Sequence, residues 1–344
     1  MLAQIEPGTV INHRYIIQKV LGQGGFGRTY LAFDNERFGH SCALKEFVSS
    51  SAAEDVALKS RELFEREARA LYQLNHPQIP KFLAWFTDKE RLFIVQDYIN
   101  GKTYSQLLRD RLCEQNQPFS EAEVTQWLRD LLPVLDYLHE LKIIHRDIAL
   151  DNVMFSLDIS KPVLIDFGFV KEKVSQILSV GTVLGKKGYA PPEQVRMGQS
   201  YPSSDLYAVG VCAIVLLTGK MPDALMDQSL EWQWRSYVNI SDCLTKVLDK
   251  MLAEKPKQRF QSAKEILAEL QPLNVPQQAG VSLPLKKLQI NIDQAKKERE
   301  VAEILESDEF KLLEERANKL RKRTKTAIES QLEVELQEHS IPSK

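Results

Sequence analysis

The chain has 344 residues, 43% of them hydrophobic, and a formal net charge of −2. That length allows two packed lobes and a tail, and so small a charge gives no global pull toward nucleic acid or an anionic membrane surface. Four scattered cysteines, Cys42, Cys113, Cys212 and Cys243, have no C-x-x-C spacing, which argues against a zinc site or a disulfide framework and points to a reducing cytoplasmic setting.

Residues 1–14 read as an N-terminal lead without the basic-then-apolar order of a signal peptide. Short apolar runs separated by turn residues then predict antiparallel strands at 15–20, 28–33, 42–47, 81–87 and 92–97. One helical pattern interrupts them, with Phe64, Ala68, Leu71 and Leu74 on one face. It ends at Asn75-His76-Pro77, because proline disfavours helix in the residue before it. From about residue 103 to 270 the pattern is mostly helical. Val124, Trp127, Leu128, Leu131, Leu135 and Leu138 keep helical spacing, with Ser120 and Glu123 placed as a capping box. Pro133 falls inside that segment and should bend it or cost it stability. Residues 153–155 and 163–165 look like a small strand pair. Residues 208–217 are the most apolar run, too short to span a bilayer and suited to a buried helix. Residues 271–290 read as a linker, with three prolines and a glycine by residue 285. Residues 291–344 read as a charged helical tail, mostly basic over 311–325 and acidic over 329–338. Its heptad of Leu313, Ala317, Leu320, Ala327 and Val334 is interrupted by Thr324 and Gln331. That leaves two readings, a solvated helix on its own domain or a helix for self-association or partner docking.

The glycines of Gly22-Gln23-Gly24-Gly25-Phe26-Gly27 follow a predicted strand. A dinucleotide fingerprint needs a helix to open directly after such glycines. Here Arg28-Thr29-Tyr30-Leu31-Ala32 is strand-like, so the alternatives are a hairpin whose backbone N–H groups close over phosphates, or a plain turn. Lys45 lies on an apolar strand, where an inward ammonium is unfavourable unless paired. Phosphates and a carboxylate would pair it, and Glu67, on the apolar side of its helix, is the candidate carboxylate; an ordinary surface salt bridge is the plainer reading. Farther on, His145-Arg146-Asp147, Asn152 and Asp166-Phe167-Gly168 place an acid five residues before an amide and a second acid fourteen residues after it. Phosphoryl transfer from ATP needs a group to orient the attacking hydroxyl and oxygen ligands for Mg²⁺.

Together these motifs resemble the signature set of eukaryotic-like bacterial serine/threonine protein kinases, over roughly residues 15–270. Pro191-Pro192-Glu193 resembles the A-P-E element, Asp205 the acid that anchors the catalytic loop, and Arg259 the arginine that pairs with Glu193. The resemblance implies a two-lobed α+β kinase fold, with an N-lobe at 15–99 and a C-lobe at 100–270. It implies that Gly22, Gly24, Gly25, Phe26 and Gly27 cover ATP, that Lys45 holds its phosphates and that Glu67 holds Lys45. Asp147 would take or align the substrate hydroxyl proton, and Asn152 and Asp166 would bind Mg²⁺, with Mn²⁺ as a substitute. Gln96 would guard the back of the adenine pocket, and the backbone from Asp97 to Ile99 would meet the adenine edge. Protein substrates are implied; nucleic acid and a membrane span are not.

Two positions depart from the family pattern. Serine/threonine kinases usually carry lysine two residues after the catalytic aspartate, where this chain has Ala149. Tyrosine kinases have alanine there but arginine two residues later, where this chain has Asp151. The Gly-Thr-x-x-Tyr element reads Gly185-Lys186-Lys187-Gly188-Tyr189, so a lysine replaces the threonine. Lys186 is therefore expected to reach the pocket vacated at Ala149 and supply the missing cation; the alternative is a lysine in solvent and a slower enzyme, or a nucleotide-binding pseudokinase scaffold. A kinase of small molecules is a further alternative, against which Glu193 and Arg259 speak. Arg146 beside Asp147 suggests an activation loop ordered by phosphorylation. Of Ser175, Ser179 and Thr182, Thr182 is the expected site.

Overall fold

Alternation along the first strands decides what each face of their sheet buries. In the computed structural model β1 (Val10–Ile11), β2 (Tyr15–Gly24), β3 (Gly27–Asp34), β4 (His40–Phe47), β5 (Phe82–Asp88) and β6 (Arg91–Asp97) form one antiparallel sheet in the order β1-β2-β3-β4-β6-β5. Successive side chains of a strand point to opposite faces. Tyr15, Ile17, Tyr30, Ala32, Cys42, Leu44, Phe93 and Val95 fill one face, and Ile5 and Ile11 of the lead pack into the same cluster. Phe47 and Ile94 belong to the other, where they meet Phe64, Ala68, Leu71 and Leu74. Lys45 lies on that second face, one residue out of phase with Leu44 and Glu46. The fully buried Glu46 accepts hydrogen bonds from Tyr30 Oη (2.8 Å) and Arg91 Nη1 (2.6 Å). Arg91 also reaches the Ala3 carbonyl at 2.9 Å, which ties the lead to the sheet.

The structure describes residues 3–24, 27–47, 62, 64–65, 68–89, 91–167 and 186–270, all within one unit, Met1–Val275. Glu67, Gly25, Phe26, Gly168, Thr182 and the expected linker and tail over 271–344 lie outside the described residues.

Gln78 connects the sheet to the helical lobe. Its buried side chain donates to the carbonyls of Asp130 (2.8 Å) and Pro162 (2.7 Å), and its own carbonyl accepts from Leu164 N (2.9 Å). The expected strand pair is three-stranded: β7 (Gly101–Thr103), β8 (Val153–Ser156) and β9 (Lys161–Leu164). The helical lobe contains α1 (Tyr104–Gln115), α2 (Glu121–Glu140), α3 (Pro192–Met197), α4 (Pro202–Thr218), α5 (Asp242–Met251) and α6 (Ala263–Glu269). Both halves of the Ser120/Glu123 capping box are made. The helix α2 runs on through Pro133 instead of stopping there, because the proline faces solvent while Leu131, Leu132, Val134 and Leu135 anchor both sides of it. Residues 203–217 of α4 are buried all round, as a helix with no polar face must be. The two-lobed α+β arrangement expected of the described residues is the one the chain adopts.

Candidate active site

The loop between α2 and β8 is positioned from below by one carboxylate. Asp205, in the first turn of α4 and 1% exposed, accepts the backbone N–H groups of His145 and Arg146, each at 2.9 Å. His139, from the last turn of α2, places Nε2 2.9 Å from the same carboxylate. Arg146 has φ of 68°, a left-handed conformation that costs a non-glycine residue roughly 1–2 kcal/mol. The groups around it offset that strain: Asp205 holds its N–H, and Gln194 Nε2 donates to its carbonyl at 2.6 Å.

His145 is completely buried, and burial lowers its pKa, which favours the neutral ring. A neutral imidazole has one donor and one acceptor. Nε2 donates to the Ile165 carbonyl at 3.1 Å, and Nδ1 faces the Asp147 N–H at 3.4 Å. The ring centroid lies 4.7 Å from that of Phe167. One side chain thus bridges the catalytic loop and the segment after β9.

Asn152 completes the bridge. Its Nδ2 donates to the Asp147 carbonyl (2.6 Å) and to Asp147 Oδ2 (2.8 Å), while its backbone carbonyl accepts from Ile165 N (2.9 Å). Next in the chain after Ile165 is Asp166, with φ of 56°, a conformation that aspartate tolerates better than most residues. Its Oδ1 lies 3.1 Å from Lys45 Nζ. Strand β4, the loop after α2 and the end of β9 therefore bring Lys45, Asp147, Asn152 and Asp166 to one cleft. Because Asn152 donates through its nitrogen, its amide oxygen is left to accept or to ligate. That oxygen and the Asp166 carboxylate form the kind of hard donor pair that suits a divalent cation sharing its shell with phosphates and water. Among the described residues no group of three or more His, Cys, Asp or Glu side chains could form a self-sufficient metal cage.

The described glycines of the glycine-rich segment lie on the paired strands β2 and β3, where Gly22 opposes Thr29 and Gly24 opposes Gly27. No helix opens after Gly27, so the dinucleotide alternative falls. A Cβ on Gly27 would lie 1.8 Å from the Glu46 carbonyl oxygen, so the close approach of β3 to β4 beside Lys45 requires glycine. Gln96 Nε2 points to the Pro80 carbonyl at 3.4 Å. The Asp97 N–H donates to Lys81 O at 2.9 Å and is not left for a ligand. Ile99 is half-buried.

Lys186 is partly exposed but not unpartnered. Its ammonium is ion-paired with Asp151, two residues after the fully buried Ala149. Glu193 and Arg259 meet in the core through two hydrogen bonds, 2.7 and 2.9 Å, and Ser204 Oγ adds a third to Glu193 at 2.7 Å. Motif reading missed His139, Gln194, Gln78, Ser204 and the role of Asp151. Each is an ordinary polar residue locally, and its partner across the fold lies 11 to 84 residues away in sequence. A surface pocket of about 360 Å³ lined by Trp232, Trp234, Arg235, Asp249 and Leu252 contains none of the cleft groups.

A family model described as "Protein kinase domain" matches residues 15–270. Serine/threonine-protein kinase B of Synechocystis is 38% identical over 274 residues, covering 76% of this chain and 47% of that protein. Serine/threonine-protein kinase PknA of Nostoc is 38% identical over 274 residues, covering 76% and 48%. The chain thus spans about half the length of these relatives. Among solved structures, the apo form of PpkA-294 superposes with a TM-score of 0.66 at 26% identity, covering 78% of this chain and 99% of that one. The PknI kinase domain of Mycobacterium tuberculosis gives 0.61 at 26% identity, covering 78% and 98%.

Proposed function

This chain belongs to the protein kinase family, and from that premise we propose that it transfers the γ-phosphoryl group of ATP to serine or threonine hydroxyls of proteins, with Mg²⁺. Protein kinases use ATP and a divalent metal; the choice of Mg²⁺ here rests on the hard oxygen donors of Asn152 and Asp166. The observation that carries the reading is the convergence of Lys45 on Asp166 and of Asn152 on Asp147.

In this reading Asp147 aligns the substrate hydroxyl and receives its proton, while Asn152 fixes the orientation of that carboxylate. Asn152 and Asp166 would hold the metal, which when bound neutralises charge on the phosphates. Lys45 would hold the α- and β-phosphates, with the hairpin of Gly22, Gly24 and Gly27 above them. The adenine edge would meet the Asp97 carbonyl and the Ile99 backbone, since the Asp97 N–H already has an acceptor. Glu67, Gly25 and Phe26 as further ATP-side groups, and Arg146 with Thr182 as a phosphorylation-ordered pair, belong to the same proposal. So does a cytoplasmic setting. Docking or self-association through 291–344 is a separate proposal, tested by the solution mass of a chain ending at Val275. Among the described residues no helix is long and apolar enough to cross a membrane.

The test is incubation of the purified chain with γ-labelled ATP, Mg²⁺ and a generic basic protein, followed by phosphoamino-acid analysis. Label on serine or threonine is expected, and Asp166→Asn should leave the assay blank. Asp147→Asn should lower kcat by about 10²- to 10⁴-fold, the usual contribution of a positioned general base. Absence of label from the parent chain across a panel of basic and acidic protein substrates would sink the proposal in favour of a nucleotide-binding scaffold.

A further inference from the structure

Resting on the kinase reading above, we propose that Lys186 supplies the cation facing the transferring phosphoryl group, and that Asp151 positions it there.

The catalytic loop from 147 to 152 reads Asp-Ile-Ala-Leu-Asp-Asn and contains no cation of its own. Ala149 is fully buried in the core of the lobe. Two acids, Asp147 and Asp151, therefore flank the place where a highly charged phosphoryl group must arrive. A positive group aimed at that place is worth far more in a sheltered cleft than in water. Lys186 enters from the opposite side. Its carbonyl accepts from the N–H groups of Tyr189 (3.0 Å) and Ala190 (3.2 Å), which pins its backbone in a turn. Its Nζ lies 5.6 Å from the centroid of the buried Tyr189 ring. The head pairs with Asp151, whose neighbour Asn152 holds the Asp147 carboxylate. Burial lowers the Lys186 pKa, and the Asp147 carboxylate opposes that shift. The ion pair with Asp151 gives the ammonium its direction.

In the transfer step the substrate hydroxyl oxygen bonds to the γ-phosphorus, and the bond from that phosphorus to the β–γ bridging oxygen breaks. ADP leaves with the electron pair, and the hydroxyl proton goes to Asp147. Lys186 forms no covalent bond; it donates hydrogen bonds to phosphoryl oxygens as their charge redistributes. Asp151 takes no part in the bond changes and acts through Lys186.

The experiment uses the full chain with four changes: Lys186→Met, Lys186→Arg, Asp151→Asn and Asp151→Glu. Lys186→Met should lower kcat by about 10- to 150-fold, the loss expected for one charge-assisted hydrogen bond. Its affinity for a fluorescent ATP analogue should stay within about twofold, since the contact is made mainly in the transition state. Lys186→Arg and Asp151→Glu, which keep the charges, should retain most of the rate. Asp151→Asn should lower kcat with KM for ATP unchanged, and the Lys186→Met, Asp151→Asn double variant should be no slower than Lys186→Met alone. Should Lys186→Met fail to fold, the two Asp151 variants decide the matter by the same split between kcat and KM. A parent chain that labels its substrate while Lys186→Met labels equally well overturns this inference and leaves the kinase reading intact. Additive losses in the double variant overturn the positioning role of Asp151. A parent chain as blank as Asp166→Asn removes the kinase reading itself.

Discussion

At the scale of single residues, the buried pair of Glu193 with Arg259 anchors the short helix that follows the Lys186 turn. Glu193 and Arg259 are each 2% exposed. Burial pushes the Glu193 carboxyl up, but hydrogen bonds from Arg259 and Ser204 outweigh it and hold the pKa below the ordinary value. Arg259 also donates to the carbonyls of Ala253 and Glu254, both at 2.7 Å, and its guanidinium lies over the Tyr207 ring at 4.5 Å. Replacing one partner leaves the other charge buried and unpaired. Glu193→Gln should therefore cost about 3–5 kcal/mol of unfolding free energy, read by urea denaturation. An exposed pair such as Lys264 with Glu140 should lose far less when Lys264 is changed to Met, because solvent screens it. Equal effects from the two changes would contradict this account.

At the scale of elements, the helix α2 shows packing overriding a local signal. Pro133 removes one backbone hydrogen bond from a 20-residue helix, yet Val124, Leu128, Leu131, Leu132, Val134, Leu135 and Leu138 are fully buried and keep the helix whole. Pro133→Ala should restore the missing N–H and raise stability, by no more than the roughly 3 kcal/mol that separates the two residues inside helices. A fall in melting temperature would mean that the surroundings are fitted to the proline. The turn before α3 has the opposite tolerance. Gly188 has φ of +83°, and a Cβ there would come within 2.8 Å of Pro222. Gly188→Ala should shift the backbone that bears Lys186, so its rate should fall more than its melting temperature.

At the scale of the whole molecule, several groups with depressed folded-state pKa values set the response to acid, His145 and Glu193 beside His76, Asp34 and Glu123. The folded-state pKa of His145 is depressed below 6.5, so below that pH the unfolded chain takes up a proton that the folded chain resists. Its stabilising contribution is complete above 6.5 and shrinks as pH falls toward the depressed value. Glu193 is likewise depressed below 4.5, so its contribution is present above 4.5 and is lost as pH falls through the lower value. Unfolding free energy should thus decline on acidification, beginning near pH 6.5 with the histidines and continuing through the carboxylates. A flat profile between about pH 7 and 5 would exclude the histidine contribution. The unit Met1–Val275 includes α6 with Ala263 and Ile266 fully buried, and Leu270, whose carbonyl accepts from Arg129 at 2.7 Å. A chain ending at Val275 should keep the melting temperature of the parent unit, and one ending at Ser262 should not fold.

Much of the fold and the cleft was legible from the order of the residues. The strands β2 to β6 announce themselves as short apolar runs bounded by turn residues, and α2 because one apolar stripe and a capping box agree. The candidate cleft residues were nameable because phosphoryl transfer demands particular side chains in a particular chain order. What stayed illegible was short or nonlocal. The strands β1 and β7 have two and three residues, too few for any period to register. Nothing near Gln78, His139 or Gln194 hints at a partner 48 to 84 residues away. Lys186 was readable as a cation out of place, but its attachment to Asp151 was not, because ion pairing depends on distance in space and the sequence records only distance along the chain. Side-chain periodicity and chemical type, which are local, were determined by the sequence itself; the pairing of buried polar groups, which must be satisfied by whatever the fold brings near, was decided by the tertiary structure alone.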